Sequence, residues 1–351
     1  MTQEKDIQWI NTVKGIAMVM VIFAHAQMAY GCEWGTINNF LFPWISNVFF
    51  FLSGYLIYRK QLSEPLIQEN GQTYLKSGAK TMLSNIFFRL VVPALLFSLL
   101  EFFPKSILFG YGFTWNRFLF KTIGGGTYWF ISALTLAELF TLLLLLTRKR
   151  NVWFYVSVSL VIAGIGLLMA NLKLELFPKG YWAYKNGMIA MLFLALGALY
   201  WRYEKQIDAF LKWYVMLLMA VVVVALALSF KFVQYNTRMS IPSFVVSVFS
   251  ILLVIQLCKW LPENRYLSFI GKNTLGFYLF SGSIPILLGV LAYNFLPEWH
   301  WWMILLIWIV GLVLIYLVVK LIVRWLPWLF DLRRCRSRAD VSRSPQDGCS
   351  R

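Results

Sequence analysis

The sequence predicts an all-α integral membrane protein, a polytopic bundle of about ten transmembrane helices with both termini cytoplasmic. Three observations predict it. The 351 residues are 60% hydrophobic and only 13% charged, about half the roughly 25% charged residues of a soluble domain. Apolar stretches recur along the chain, each near the roughly 20 residues needed to cross a hydrocarbon core of about 30 Å. Basic residues collect in alternate loops, the bias that marks the cytoplasmic side. No Gly- or Pro-rich linker separates the apolar stretches, so residues 1–331 read as one transmembrane domain. Residues 332–351 form a basic tail whose composition predicts disorder. A cleaved signal peptide is not expected, because the first apolar segment is too long and no small-residue site follows it.

The formal charge of +17 does not point to nucleic acid, because the basic residues are scattered among membrane loops and form no soluble basic face. The predicted environment is membrane lipid. The four cysteines, Cys32, Cys258, Cys335 and Cys349, have neither metal-ligand spacing nor a disulfide pattern, and no metal is predicted.

Candidate spans fall at 8–30, 38–58, 82–104, 127–147, 153–171, 185–201, 211–231, 241–260, 272–293 and 301–323. The first reads WINTVKGIAMVMVIFAHAQMAY, with Lys14 and His25 eleven residues apart. Eleven steps of about 100° return to within roughly 20° of the start, about 16 Å further along. Lys14 and His25 therefore share one face, with Asn11, Met18 and Ile22 on or beside it. An ionisable group inside a span marks a pathway or a site. The second span ends in NVFFFLSGYLIYRK, where Ser53 and Gly54 permit close helix approach. The polar segment from Gln61 to Lys80 predicts a short amphipathic piece on the inner surface, suited to a polyanionic ligand or to anionic lipid.

The third span opens with SNIFFRLVVPALLF, which puts Arg89 at the membrane edge and a kink-forming Pro93 one turn later. Arg89 is either a snorkelling anchor or a group that binds phosphate or pairs with an acid. Glu101, further along, reads as an interfacial residue. In IGGGTYWFISALTLAEL, three glycines allow a bend before Tyr128 and Trp129, aromatics that suit a membrane interface or a sugar platform. Glu138, deeper in that span, needs a partner or a solvated cavity. Spans five to eight, rich in Val, Leu, Ala and Met, read as bundle wall. The ninth begins RYLSFIGKNTLGFYLFSGS, with Asn273 at its entry and Ser281 and Ser283 deeper.

The loops assigned to the cytoplasm hold Arg59, Lys60, Lys76 and Lys80, then Arg148, Lys149 and Arg150, then Arg202, Lys205 and Lys212, then Lys259, Arg265 and Lys272. The opposite loops hold Lys105, Arg117, Lys121, Lys173, Lys179, Lys185, Lys231 and Arg238. This orientation places Lys14 near the cytoplasmic entry and His25 in the outer half. A cation there suits an anionic ligand from the cytosol, and a histidine exchanges protons near neutral pH.

These residues resemble the membrane acyltransferase type 3 family. A basic residue, ten intervening residues and a histidine in its first helix are matched by Lys14 and His25. Its FFxLSGFLI phrase is similar to the run from Phe50 to Ile57, and its RxxP to Arg89 with Pro93. Its WFL motif resembles Trp129 and Phe130, and its GxNTLxxYL phrase resembles Gly271, Asn273, Thr274, Leu275, Tyr278 and Leu279. The chain departs from the family where Lys14 replaces a common arginine and Asn11 a frequent acid. Ile86 replaces the first arginine of a paired RxxR, and Ser281 replaces a common histidine. Lysine at the first position is familiar in the branch that O-acetylates sugars and modifies adhesins.

The resemblance implies an acyltransferase of the inner (plasma) membrane. It would carry an acyl group, usually acetyl, from cytoplasmic acyl-CoA to a hydroxyl of a cell-surface glycan or lipid-linked saccharide. It implies that His25 is the base or acyl relay. Lys14 and Arg89 would bind the donor phosphates, and Asn11, Ser53, Tyr128, Trp129 and Asn273 are the further candidates for binding substrate. The alternative is a transporter or exporter of a glycan or small anion with Lys14, Arg89, Glu101 and Glu138 along its path. Transport folds often show two similar halves, and no convincing internal repeat is found.

Overall fold

The computed structural model describes residues 2–30, 34–63, 73–108, 110, 112–146, 151–176, 180–230, 240–295 and 300–330. The tail from 331 onward, and the basic loop residues 148–150, lie outside the described residues. Among the described residues there is no strand, and each of the ten predicted segments carries helix. Among the described residues seven helices are long and apolar enough to cross a membrane, and Trp129–Leu145 and Trp213–Ser229 are apolar but shorter.

The chain runs through α1 (Thr2–Tyr30), α2 (Gly35–Leu41), α3 (Asn47–Ser63), α4 (Thr73–Ile86), α5 (Val92–Leu108), α6 (Trp115–Lys121), α7 (Trp129–Leu145) and α8 (Val152–Asn171). It continues through α9 (Tyr184–Phe210), α10 (Trp213–Ser229), α11 (Ile241–Trp260), α12 (Arg265–Lys272), α13 (Thr274–Ser281), α14 (Ser283–Phe295) and α15 (Trp301–Trp325). Side-chain caps start several of these helices. Asn151 accepts from the Trp153 N–H at 2.9 Å, and Asn264 accepts from Tyr266 and Leu267 at 2.9 and 3.1 Å, satisfying donors that a helix start leaves without partners.

Two helices are the most buried, α1 and α9, each 61% buried across its membrane window. Both are reached by backbone-to-backbone crossings that only glycine permits. Gly54 of α3 lies on the Leu194 carbonyl of α9, and Gly197 of α9 lies on the Phe51 carbonyl of α3. The second crossing has the same reciprocal form: Gly15 of α1 meets the Leu267 carbonyl of α12, and Gly271 of α12 meets the Asn11 carbonyl of α1. Lipid tails are as apolar as leucine, so helices in a membrane associate through close packing of this kind. Around these crossings α7 and α8 pack on α9, α14 and α15 pack on α1, and α10 packs on α11.

The sixth predicted span is therefore not bundle wall. As α9 it is the centre of one half of the protein, and it runs nine residues past the predicted end at 201 to Phe210. Its extension carries Glu204 and Asp208 to Lys259 of α11, both at 2.6 Å. Tyr200 accepts from Lys259 at 3.0 Å and donates to Asp208 at 2.8 Å, and Tyr55 of α3 donates to Glu204 at 2.7 Å. Gln256 also donates to Asp208, and the Lys259 ammonium lies 5.1 Å from the centre of the Trp9 ring. Four helices are tied at this end, and all three Lys259 N–H donors are used.

Three predicted spans are subdivided. Pro43 separates α2 from α3, and its carbonyl accepts from Asn47 at 2.6 Å and Ser247 at 2.5 Å. The ninth span breaks at Asn273 and Gly282 into α12, α13 and α14. The third contains a π-helical turn, Phe87–Val91, between α4 and α5. The amphipathic piece expected before it is realised in part as α4, while residues 64–72 lie outside the described residues.

Gly197→Leu forces a side chain against the Phe51 carbonyl. It is expected to lower stability by about 2 kcal/mol or more, read as a fall in the melting temperature of the detergent-purified protein. An unchanged melting temperature would refute the crossing.

Candidate functional site

The site follows from α1, which sets two polar levels about 16 Å apart, one at Lys14 and one at His25. Neither side chain is fully buried. Two other segments repeat the spacing. Arg89 and Glu101 are twelve residues apart on the α4–α5 span, about 18 Å, and Tyr128 and Glu138 are ten apart at and within α7, about 15 Å.

At the first level the charges of Lys14, Arg89 and Glu138 interact with one another. Pro93 explains how Arg89 gets there. Proline has no N–H, and its ring crowds the carbonyl four residues earlier, which is that of Arg89. The helix widens to a π turn, closed by the Val92 N–H on the Phe87 carbonyl. Such bulges are frequent at functional sites. The expected kink is thus a π turn that carries an exposed Arg89. Ile86, at the position where the family commonly has another arginine, is buried at 3% exposure and serves packing.

At the second level His25 lies within electrostatic reach of Lys105 of α5. Lys105 donates to Glu101 Oε2 at 2.6 Å, and Ser283, the first residue of α14, donates to Glu101 Oε1. The buried Tyr128 hydroxyl lies between two acceptors, the Leu279 carbonyl at 3.1 Å and the Glu101 carboxylate. Its ring centre is 5.9 Å from that of Tyr278. Glu101 is therefore not simply interfacial: it joins α5, α14 and the start of α7. Lys121, at the end of α6, is a further neighbour. Partial desolvation lowers its pKa, and the charges of Lys105 and Arg117 lower it further.

The remaining sequence candidates are placed differently. Asn11 is buried, with its carbonyl in the α1–α12 crossing. Asn273 donates to the Phe269 carbonyl at 2.9 Å and fixes the joint between α12 and α13. Trp129 is partly exposed, 6.1 Å from Phe130 between ring centres. Ser53 sits beside the packing Gly54, and no contact among the described residues ties it to either level. The sequence reading missed Lys105 and Ser283 as site residues, and it gave Glu138 as a charge in want of a partner and as part of the transporter path. The three-glycine bend is real: Gly125 has φ of 71°, and the Gly124 carbonyl accepts from the Trp182 N–H at 2.7 Å. Among the described residues no cluster of His, Cys, Asp or Glu is arranged for a metal.

An all-helical bundle with several helices long and apolar enough to cross a membrane, and with two polar levels along them, defines a multi-pass membrane protein. A family model described as an acyltransferase domain matches residues 7–324. The chain belongs to the membrane acyltransferase type 3 family and is a membrane acyltransferase. No curated protein and no solved structure matches it. The transporter alternative gains no support from the fold or from the family.

Glu138→Ala leaves Lys14 and Arg89 as like charges without their carboxylate. It is expected to cost about 1–3 kcal/mol, and the double variant with Lys14→Ala should regain part of that loss in the same melting assay. Equal stabilities for wild type and Glu138→Ala would remove Glu138 from the first level.

Proposed function

We propose that the protein moves an acyl group, in the first place acetyl, from cytoplasmic acyl-CoA to a hydroxyl of a cell-surface glycan or lipid-linked saccharide. It does so in the inner (plasma) membrane, with both termini cytoplasmic. The observation that carries the reading is the vertical arrangement: cations Lys14 and Arg89 at one level and His25 about 16 Å above them on the same helix face. In the orientation that the loop charges favour, the cations meet the cytosol, where the donor phosphates are, and His25 faces the side of the acceptor.

Lys14 and Arg89 bind the anionic end of the donor through charge-assisted hydrogen bonds, and the pantetheine arm points along α1 toward His25. His25 takes the proton from the acceptor hydroxyl as its oxygen attacks the thioester carbonyl carbon. The new C–O bond forms, the C–S bond breaks, and the proton passes from His25 to the departing sulfur, giving the O-acyl product and CoA. General-base help of this kind is worth about 10²–10⁴ in rate.

The test is transfer from radiolabelled acetyl-CoA into the glycan and lipid fractions of membranes. His25→Ala, correctly inserted, is expected to lower transfer by about 10² or more, and near-normal turnover would remove His25 from the mechanism. Lys14→Ala is expected to raise KM for acetyl-CoA, and Lys14→Arg to raise it less because the charge remains. Flux of labelled glycan in vesicles lacking any acyl donor would favour transport instead.

A further inference from the structure

We propose that Lys105 is the cation that stabilises the developing oxyanion beside His25, and that Glu101 is the residue that positions it. This rests on the acyl-transfer reading above and extends it to a group at the second level. The two oxygens of Glu101 are both engaged, Oε2 by Lys105 at 2.6 Å and Oε1 by Ser283. With the Tyr128 hydroxyl beside it as well, the carboxylate is held by donors from three elements.

Its effect is to fix the ammonium of Lys105. One of the three N–H donors of that ammonium goes to Glu101, and its side chain is 29% exposed against 12% for Glu101. Ser283 begins α14, which packs on α1 with Gly289 against the Ala29 carbonyl, so the Glu101–Lys105 pair lies beside the end of α1 that carries His25, within its electrostatic reach. Cations favour the cytoplasmic loops, so a lysine on the other side has a cost, and the Glu101 charge offsets it.

In the transfer step the acceptor oxygen gains the carbonyl carbon as its proton goes to His25. The carbonyl electron pair moves onto oxygen, and that oxyanion takes hydrogen bonds from Lys105. When the carbonyl re-forms, the C–S bond breaks and the proton leaves His25 for sulfur. Base and cation act on one reacting carbon from two helices, α1 and α5. The donor phosphates are held at the other level, so Lys105 contributes to the transition state and not to donor affinity.

The experiment measures maximal rate and KM for radiolabelled acetyl-CoA in native membranes containing wild type, Lys105→Met, Lys105→Arg, Glu101→Gln or His25→Ala, each normalised to inserted protein. Lys105→Met is expected to lower the maximal rate about 10²-fold, the usual effect of losing an oxyanion donor, with KM unchanged. Lys105→Arg should restore much of the rate, and Glu101→Gln should show a smaller loss with the same split. A Lys105→Met rate equal to wild type, or a loss expressed in KM, overturns the proposal and leaves Lys105 an interfacial anchor. Should Lys105→Met fail to insert, Glu101→Gln decides, since it keeps an oxygen for Ser283: a wild-type rate in that variant overturns the proposal. No label transferred by wild type, with His25→Ala the same, would instead sink the acyl-transfer reading itself.

Discussion

A charged side chain carried into hydrocarbon must find a counter-charge or a watered cavity, and Lys14, Arg89 and Glu138 lie within electrostatic reach of one another. Much of the architecture can be traced to it. Lys14 is on the helix that packs against α12, α14 and α15, so its charge enters the bundle with α1. Arg89 is delivered by a π turn that Pro93 imposes, and Glu138 by α7. Two cations and one carboxylate leave the level with a net positive charge. Arg89 is exposed, so the surplus cation is open to a ligand. The surplus suits a level that receives an anion.

The glycine crossings make this arrangement possible. Gly15 is next to Lys14, and its contact with the Leu267 carbonyl brings α12 directly onto the main chain of α1. Gly271 closes the same crossing from the other side, and two residues later Asn273 bonds back to Phe269 and starts α13. The GKNTL phrase is thus a joint: it holds α1 from below and redirects the chain so that Ser283 reaches Glu101. The Gly54 and Gly197 crossing serves the other half, and the Lys259 network with Glu204 and Asp208 fastens the two halves at one end.

The Lys14–His25 stripe was legible because it lies within one helix, where a turn of about 100° per residue fixes which residues align. Arg89 and Pro93 were visible too, but the step from kink to π turn depends on how the neighbouring turns repack. The Glu101 cluster was not legible. Its partners come from α14 and the start of α7, and Ser283 is 182 positions away in sequence, a distance over which no periodicity carries information. The role of α9 was misread for a different reason. A helix apolar on all sides is either buried or lipid-facing, and composition cannot separate the two. The charges at 204 and 208, just past the predicted span, were the signal that its end is held by other helices.

The α4–α5 span shows how burial and chemistry can diverge. It is the least buried of the membrane windows, 28% against 61% for α1, yet it carries Arg89 at one level and Glu101 and Lys105 at the other. A purely structural helix with those charges would be held on all sides. This one is held at three points, by the contacts of the π turn with α7, by the buried Phe97 against Phe280 and Phe330 and by the bonds of Glu101 to α14. The two levels also differ in how their cations are held: Lys14 and Arg89 share Glu138 without a direct ion pair among the described residues, whereas at the second level Lys105 is paired with Glu101. In the proposed reaction that difference gives transfer its direction, with the anionic end of the donor retained at one level and an uncharged hydroxyl admitted at the other.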